Sequence, residues 1–449
     1  MGKTFRDWRV DEQWLLPPSV RELVPAGAAA HFVRDLVREE LDLSAILDRY
    51  SEERGFPPYH PAMMTALLLY GYTQGIRSSR KLAHACATRL DFMAVTAMQK
   101  PDFRTVSDFR LRHLEALAEL FGAVLRLCEK AGLVKLGHVA LDGTKVLANA
   151  SKHKAMSYER MKKSEKQLKS EIAEWFAKAK AEDDEEDRVH GADKSGDELP
   201  DWVANKQKRL EVIRAAKAEL EKEAKAQLAA GVKPEPPDKP GGGGGNRKNK
   251  QKHAPKANGE PNDKTQLNFT DRDSKLMKGS DGFLQGYNGQ AAVDAHAQII
   301  VAHELTNTQS DGPQLVGMVK QIRARMGRNP DEFSADFGYL SEANLEALKR
   351  RRINAYIATG RLKHSAPDTE RKRKVPQGPH SQRMRTKLAR AGYRSRYRMR
   401  KQVVEPVFGQ MKEGLGMRRM LLRGLKKVRS EWAINCLAHN LRKLAKHAA

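Results

Sequence analysis

The stretch HVALDGTKVLANAS, residues 138–151, decides the fold. Its short apolar residues alternate as in a half-buried strand. Asp142 stands inside it, after Val139-Ala140-Leu141 and before Gly143-Thr144. Residues 20–135, ahead of it, read as helical. Val33, Leu36 and Val37 recur near helical spacing, and a second apolar helix opens at Pro61 with Met63, Met64, Leu67 and Leu68. Ser78 or Ser79 offers the next cap. Thr105 or Ser107 offers another, before Phe109, Leu111, Leu114, Leu117 and Phe121, and Gly132 ends the run. Beyond 138 strands return. FLQGYNGQAAVDAHAQIIVAHELTN, residues 283–307, reads as two strands joined by a turn around Ala295–Gln298. An amphipathic helix follows at Gln314–Met326, then a short apolar approach, Phe333-Ser334-Ala335, to Asp336. Ser341 caps a helix to Arg350, Ile353–Ile357 is a strand, and a helix spans about Tyr397 to Lys412. A last helix holds Val428, Trp432, Ile434, Leu437, Leu441 and Leu444.

That order predicts an α/β fold: a ribonuclease-H-like mixed-sheet core with an N-terminal helical domain and an inserted helical hairpin. The expected divisions are a DNA-binding helical domain at 1–136, the first part of the core at 137–152, and the hairpin at 153–232. A flexible Gly/Pro and basic linker at 233–265 and the rest of the core with C-terminal helices at 266–449 complete the chain. In the hairpin Leu168, Ile172, Trp175 and Phe176 would face Leu210, Ile213 and Leu220 across an acidic, turn-rich connection. A solvated arm and a DNA-contacting arm fit this pattern equally.

The 449 residues carry 82 Lys+Arg against 56 Asp+Glu, a formal net charge of +26. Such an excess implies a polyanion partner, foremost nucleic acid. At 40% hydrophobic residues the chain can still bury a core. The start has no apolar signal-peptide core, and no apolar run reaches transmembrane length, so a cytoplasmic protein with no membrane partner is expected. Cys86, Cys128 and Cys436 stand too far apart for a disulfide framework or zinc cluster. Residues 371–401 contain 13 Lys/Arg and no Asp/Glu, a one-signed run that calls for phosphate rather than solvent alone.

Chemistry on phosphodiesters generally needs divalent metal, and two or three carboxylates suffice to hold Mg²⁺. Asp142, within an apolar strand, is one candidate; an Asp capping a strand-to-turn junction would look the same. Asp336 falls at the carboxyl end of a strand, where open sheets place ligands. Glu405 lies in VVEPVFGQMK beside Val403, Val404, Val407 and Phe408, surroundings that argue against a purely solvated role. Rivals are Asp294 and Glu304 on the strand pair and Asp271, Asp273 and Asp311 in turns, with Asp294 the best placed.

Seven blocks, in order, resemble bacterial insertion-sequence transposases of the DDE type, in the branch with an InsH-like N-terminal domain and a Tyr-Arg-Glu-Lys signature. Residues 60–86 and 101–114 resemble that family's N-terminal domain. LDGTKVLANAS (141–151) resembles its first-aspartate motif, and TDRDSKLM (270–277) with GYNGQAAVD (286–294) its next blocks. ADFGYLSEANL (335–345) resembles the second-aspartate motif, and YRMRKQVVEPVFGQMK (397–412) the glutamate signature. The resemblance implies catalytic, metal-holding carboxylates at Asp142, Asp336 and Glu405, with two Mg²⁺ ions for which Mn²⁺ can substitute. It adds Tyr397, Arg400 and Lys412. Arg400 leaves four residues before Glu405 where the usual pattern has three; Lys401 restores that spacing but strands Tyr397, so Arg400 is preferred. Arg396, Arg398 and Lys401 join Tyr397, Arg400 and Lys412 as expected DNA contacts.

The implied activity is metal-dependent cleavage and strand transfer at the ends of an insertion sequence. Its partners would be double-stranded DNA, as terminal inverted repeats and as target; synapsis of two ends would suit a homodimer. Two alternatives stay open: a metal nuclease that cuts without joining, and a non-catalytic DNA-binding protein on the same scaffold.

Overall fold

The computed structural model describes residues 19–50, 58–190, 201–234, 254–279, 282–360 and 378–448, with the side chains of 175–190 and 201–204 excepted. The expected Gly/Pro break after 234 and residues 371–377 of the basic run lie outside these residues. Seven helices come first: α1 (Ala29–Glu39), α2 (Ser44–Leu47), α3 (Pro61–Thr73), α4 (Ser79–Thr88), α5 (Leu90–Thr96), α6 (Phe103–Arg112) and α7 (Leu114–Lys130). Then follow β1 (His138–Leu147), β2 (Ala155–Ser157), α8 (Tyr158–His190), α9 (Asp201–Ala229), β3 (Gln266–Asn268), β4 (Lys275–Gly279), β5 (Gly282–Asp294) and β6 (Ile300–Thr306). The order closes with α10 (Gln314–Met326), β7 (Glu332–Ala335), α11 (Glu342–Arg350), β8 (Asn354–Ile357), α12 (Pro379–Ala389), α13 (Ala391–Gly409) and α14 (Leu425–Ala448).

The chain divides into two compact units. One comprises residues 1–146 and 288–449, the other 147–287. In the larger unit the sheet runs β6-β5-β1-β7-β8. β5 and β6 are antiparallel, whereas β1, β7 and β8 are parallel. In the register of β1 and β7, Leu141 lies opposite Ala335. The next residues along the two neighbouring strands are Asp142 and Asp336. The run expected from Thr105 or Ser107 to Gly132 is broken at His113 into α6 and α7, and α6 is capped by Asp102, which accepts from Arg104 N at 2.8 Å, rather than by Thr105 or Ser107. α3 is apolar almost all round and buried from Met64 to Thr73, as a central helix must be.

α14 holds this unit together, packing on α7, α3, α1 and β6. Trp432 is wholly buried, and its Nε1 donates to the Gln290 carbonyl at 3.2 Å. A Cβ at Gly289 would come within 2.7 Å of the indole, so this close approach requires glycine. The Asn440 side chain completes the backbone bonding of Ile300 on β6, accepting from its N and donating to its O, each at 2.8 Å.

His439, on the same helix, is buried and bonded through Nε2 to the Gln298 carbonyl at 2.9 Å. Burial drives its pKa down to about 4 from 6.5; the carbonyl opposes this, and Lys443 and Arg442 add to it. The folded chain therefore holds His439 neutral where the unfolded chain protonates it. That stability is complete above pH 6.5 and is lost as pH falls toward 4, by about 3 kcal/mol in all. Urea unfolding at pH 7.5 and pH 4.5 should show H439Q losing less stability on acidification than the parent. Equal losses would remove His439 as a source of acid sensitivity.

In the smaller unit α8 and α9 pack together, and β2 pairs antiparallel with β3. Tyr158, Met161, Leu168, Leu210, Ile213, Ala216, Leu220 and Leu267 form its core, with Ile172 against it. α8 continues to His190, through the acidic stretch expected to turn, because Glu and Ala propagate a helix well. The short β2–β3 ribbon carries no sequence signal of its own. Residues 254–265, read as part of a linker, hydrogen-bond to the start of α8 through Tyr158 N to Thr265 O (2.8 Å) and Glu159 N to Asp263 O (3.2 Å).

Candidate active site

Asp142 and Asp336 are set side by side by the parallel pairing of β1 and β7. Asp336 opens a single turn, Phe337–Tyr339, and accepts from Gly338 N at 2.8 Å. Asp142 Oδ1 accepts from Gly143 N at 2.9 Å, and its Oδ2 from Arg400 Nη1. Arg400, buried on α13, also donates through Nη2 to Glu405 Oε1 at 3.2 Å. One guanidinium thus joins two carboxylates from strand and helix. Among the described residues its Nε is buried without a partner.

Burial pushes the Asp142 carboxyl up to about 6; Arg400 opposes this, Asp336 adds to it, the Gly143 N–H opposes and Glu405 adds. The charges of all three acids therefore meet at Asp142. Tyr397 lies within the same field: burial raises its hydroxyl, Arg400 lowers it, and Asp336 and Asp142 raise it.

Glu405 is paired with Arg400 and so not purely solvated, yet it is not buried among its apolar neighbours. Its side chain is 48% exposed, while Val403, Val404, Val407 and Phe408 are buried. At 100° per residue, positions 403, 404, 407 and 408 share one face of a helix and 405 turns away from it. α13 ends at Gly409, with Pro406 inside it, and passes into a π turn, Gln410–Gly414, which contains Lys412. Such turns recur at functional sites. Lys401 and Arg398 are exposed. Arg396 points elsewhere, 3.7 Å from Glu332 at the start of β7. That lies about 13 Å of strand from Asp336.

The rival acids have other work. Asp294 accepts from Leu136 N at 2.6 Å, His296 N at 2.8 Å and Lys135 N at 3.3 Å, fixing the entry to β1. Asp271 accepts from the Tyr287 hydroxyl at 2.9 Å, and Glu304 pairs with Arg429 at 3.2 Å. Asp311 stands at the site, beside Lys145 and Gly338. Nothing in the local sequence marked Lys145.

Asp142, Asp336 and Glu405 supply the hard oxygens that a divalent cation takes, and the repulsion felt at Asp142 is of the kind that a cation relieves. In this arrangement Arg400 supplies the positive charge, and among the described residues no three His, Cys, Asp or Glu side chains are grouped to hold a metal. The donor set fits a metal in kind, with Arg400 as the competing cation.

Residues 18–112 match a family described as a transposase domain (DUF772), and residues 363–445 match a transposase DDE domain. The second match contains Tyr397, Arg400, Glu405 and Lys412; Asp142 and Asp336 lie between the two matches. Transposase domains toward both ends indicate a transposase. Together they fit an insertion-sequence transposase of the DDE type. No curated protein and no solved structure matches the chain. Among the described residues no helix is long and apolar enough to cross a membrane.

Proposed function

We propose that the chain cuts DNA at the ends of an insertion sequence and transfers the freed strand to a target, on a ribonuclease-H-like core. The observation that carries this reading is the link from Arg400 to both Asp142 and Glu405, beside the paired strand ends that bear Asp142 and Asp336. The sheet order β6-β5-β1-β7-β8, antiparallel at one edge and parallel at the other, supports the core assignment.

Asp142, Asp336 and Glu405 would hold two Mg²⁺ ions, or Mn²⁺ in their place. Bound metal supplies activation of the attacking oxygen and stabilisation of the leaving one. Arg400 keeps the acids from repelling one another until DNA and metal arrive. Its guanidinium then has donors free for a phosphate. Tyr397 gives a ring face and a hydroxyl next to that phosphate, where an unstacked base can rest. Arg398 and Lys401 project from α13 toward solvent and add sequence-independent grip on the backbone, as would Lys412; Arg396, turned to Glu332, would meet DNA only away from the acids. The helices of 1–136 would read the terminal repeats.

The test is product analysis. A labelled duplex carrying the DNA that flanks the gene is incubated with the full chain, Mg²⁺ and a supercoiled target. Joined strands are expected. Nicks without joining would favour the nuclease reading, and intact DNA the non-catalytic one.

A further inference from the structure

A second polar cluster stands within the electrostatic reach of Asp142 and Asp336 and has no part in the chemistry above. Lys145 lies three residues beyond Asp142 on β1, with its side chain 18% exposed. Its Nζ donates to the Gln309 carbonyl at 3.3 Å and stands 3.5 Å from Asp311 Oδ1. Asp142 and Asp336 both act on its charge, along with Asp311.

Asp311 is itself firmly placed. Its Oδ1 accepts from Asn288 Nδ2 at 2.6 Å and from Gln290 Nε2 at 2.8 Å. The buried Tyr339 hydroxyl donates to Gln290 Oε1 and fixes that amide in turn. A Cβ at Gly143 would fall 2.5 Å from Gln290 Nε2 and 2.8 Å from Asp311 Oδ1, so the residue after Asp142 must be glycine for this cluster to stand there. A Cβ at Gly338 would lie 3.0 Å from Asp336 Oδ1 and 3.3 Å from Asp311 Oδ2. The Asp311 and Asp336 carboxylates therefore flank one residue.

A lysine kept only to neutralise Asp311 would not need this scaffold. Asp311 already has two amide donors, and 3.5 Å is long for a charge-assisted bond. An ammonium has three N–H donors, and Gln309 and Asp311 take at most two.

We propose that Lys145 is a catalytic residue that binds a non-bridging oxygen of the attacked phosphate, and that Asp311 is the positioning residue that aims it. This rests on the reading of the carboxylate cluster as a strand-cleavage site. A fixed positive charge at that oxygen gains strength as negative charge builds in the transition state, so its removal costs rate more than binding.

The experiment uses the full chain with Mn²⁺ and a labelled duplex carrying the DNA that flanks the gene, reading the single-turnover cleavage rate and the DNA Kd separately. K145Q should slow cleavage by about a hundredfold while leaving Kd within about threefold. K145R should recover about tenfold of that loss, since the charge is kept. D311N should slow the parent by about tenfold and leave K145Q unchanged, the non-additivity of two residues acting through one contact. If K145Q melts below the assay temperature, K145M, which keeps the apolar stem, is read in its place. A parent rate in the Lys145 variant, a loss confined to Kd, or multiplicative effects of D311N and K145Q would each overturn the proposal. D336N separates the two levels. If D336N cuts like the parent, the site reading itself fails. If D336N is inert while K145Q is normal, only the role of Lys145 fails.

Discussion

Asp142→Asn should abolish DNA cleavage, with a loss of about a thousandfold or more, and leave the protein at least as resistant to heat as the parent. The two halves of this expectation have one origin. Asp142 is held where burial and two neighbouring acids raise its pKa to about 6. The fold thus works against its charge, and Arg400 and the Gly143 N–H offset part of the cost. Asparagine removes the charge and keeps the shape. Asp336→Asn and Glu405→Gln should lose cleavage to a similar extent. Glu405→Gln should leave the melting temperature nearly unchanged, because that side chain is 48% exposed. Cleavage assays beside thermal melts check both halves, and an active D142N protein would end the site assignment.

Glu431→Ala should be the most destabilising single change on the C-terminal helix. Glu431 is fully buried and accepts from Leu421 N at 2.9 Å, Leu422 N at 2.9 Å and Arg77 Nη1 at 3.4 Å. Burial raises its carboxyl above the usual range, against the two N–H groups, Arg77 and Arg110. Arg77 also donates to the carbonyls of Gly416 (2.6 Å) and Arg419 (2.9 Å), and its own carbonyl accepts from Arg110 at 2.8 Å. Truncating Glu431 leaves a buried guanidinium and two amides without their acceptor, a loss of about 3–5 kcal/mol. Urea unfolding measures it directly. A loss below about 1 kcal/mol would show that water or repacking replaces the carboxylate.

Much of the sheet could be read from the chain because its signals are local. Ser341 caps α11, accepting from Asn344 N at 3.1 Å, and α10 spans Gln314–Met326 as its periodicity predicts. The turn between β5 and β6 falls at the expected residues for the same reason. What could not be read depends on distant partners. No local pattern announces that Arg77 meets Glu431. At the site, the motif blocks named Asp142, Arg400 and Glu405, and these three are joined by hydrogen bonds. Asp336 follows from strand register. Lys145 and Asp311, 166 positions apart, carry no such mark. Glu405 is kept from a purely solvated role by Arg400 and not by its apolar sequence neighbours, which lie around another face of the helix.

The placement of α14 governs when the protein can begin to act. Synthesis reaches this helix after all the other described helices and strands, yet Trp432, Glu431 and Asn440 are tied to residues made far earlier. A nascent chain that already carries Asp142, Asp336 and Glu405 therefore lacks the support beneath β5 and β6 until this helix leaves the ribosome. A chain cut short before Leu425 would carry all three acids and no lasting core to hold them. Truncation just ahead of α14 should thus silence the protein as fully as truncation ahead of Asp142.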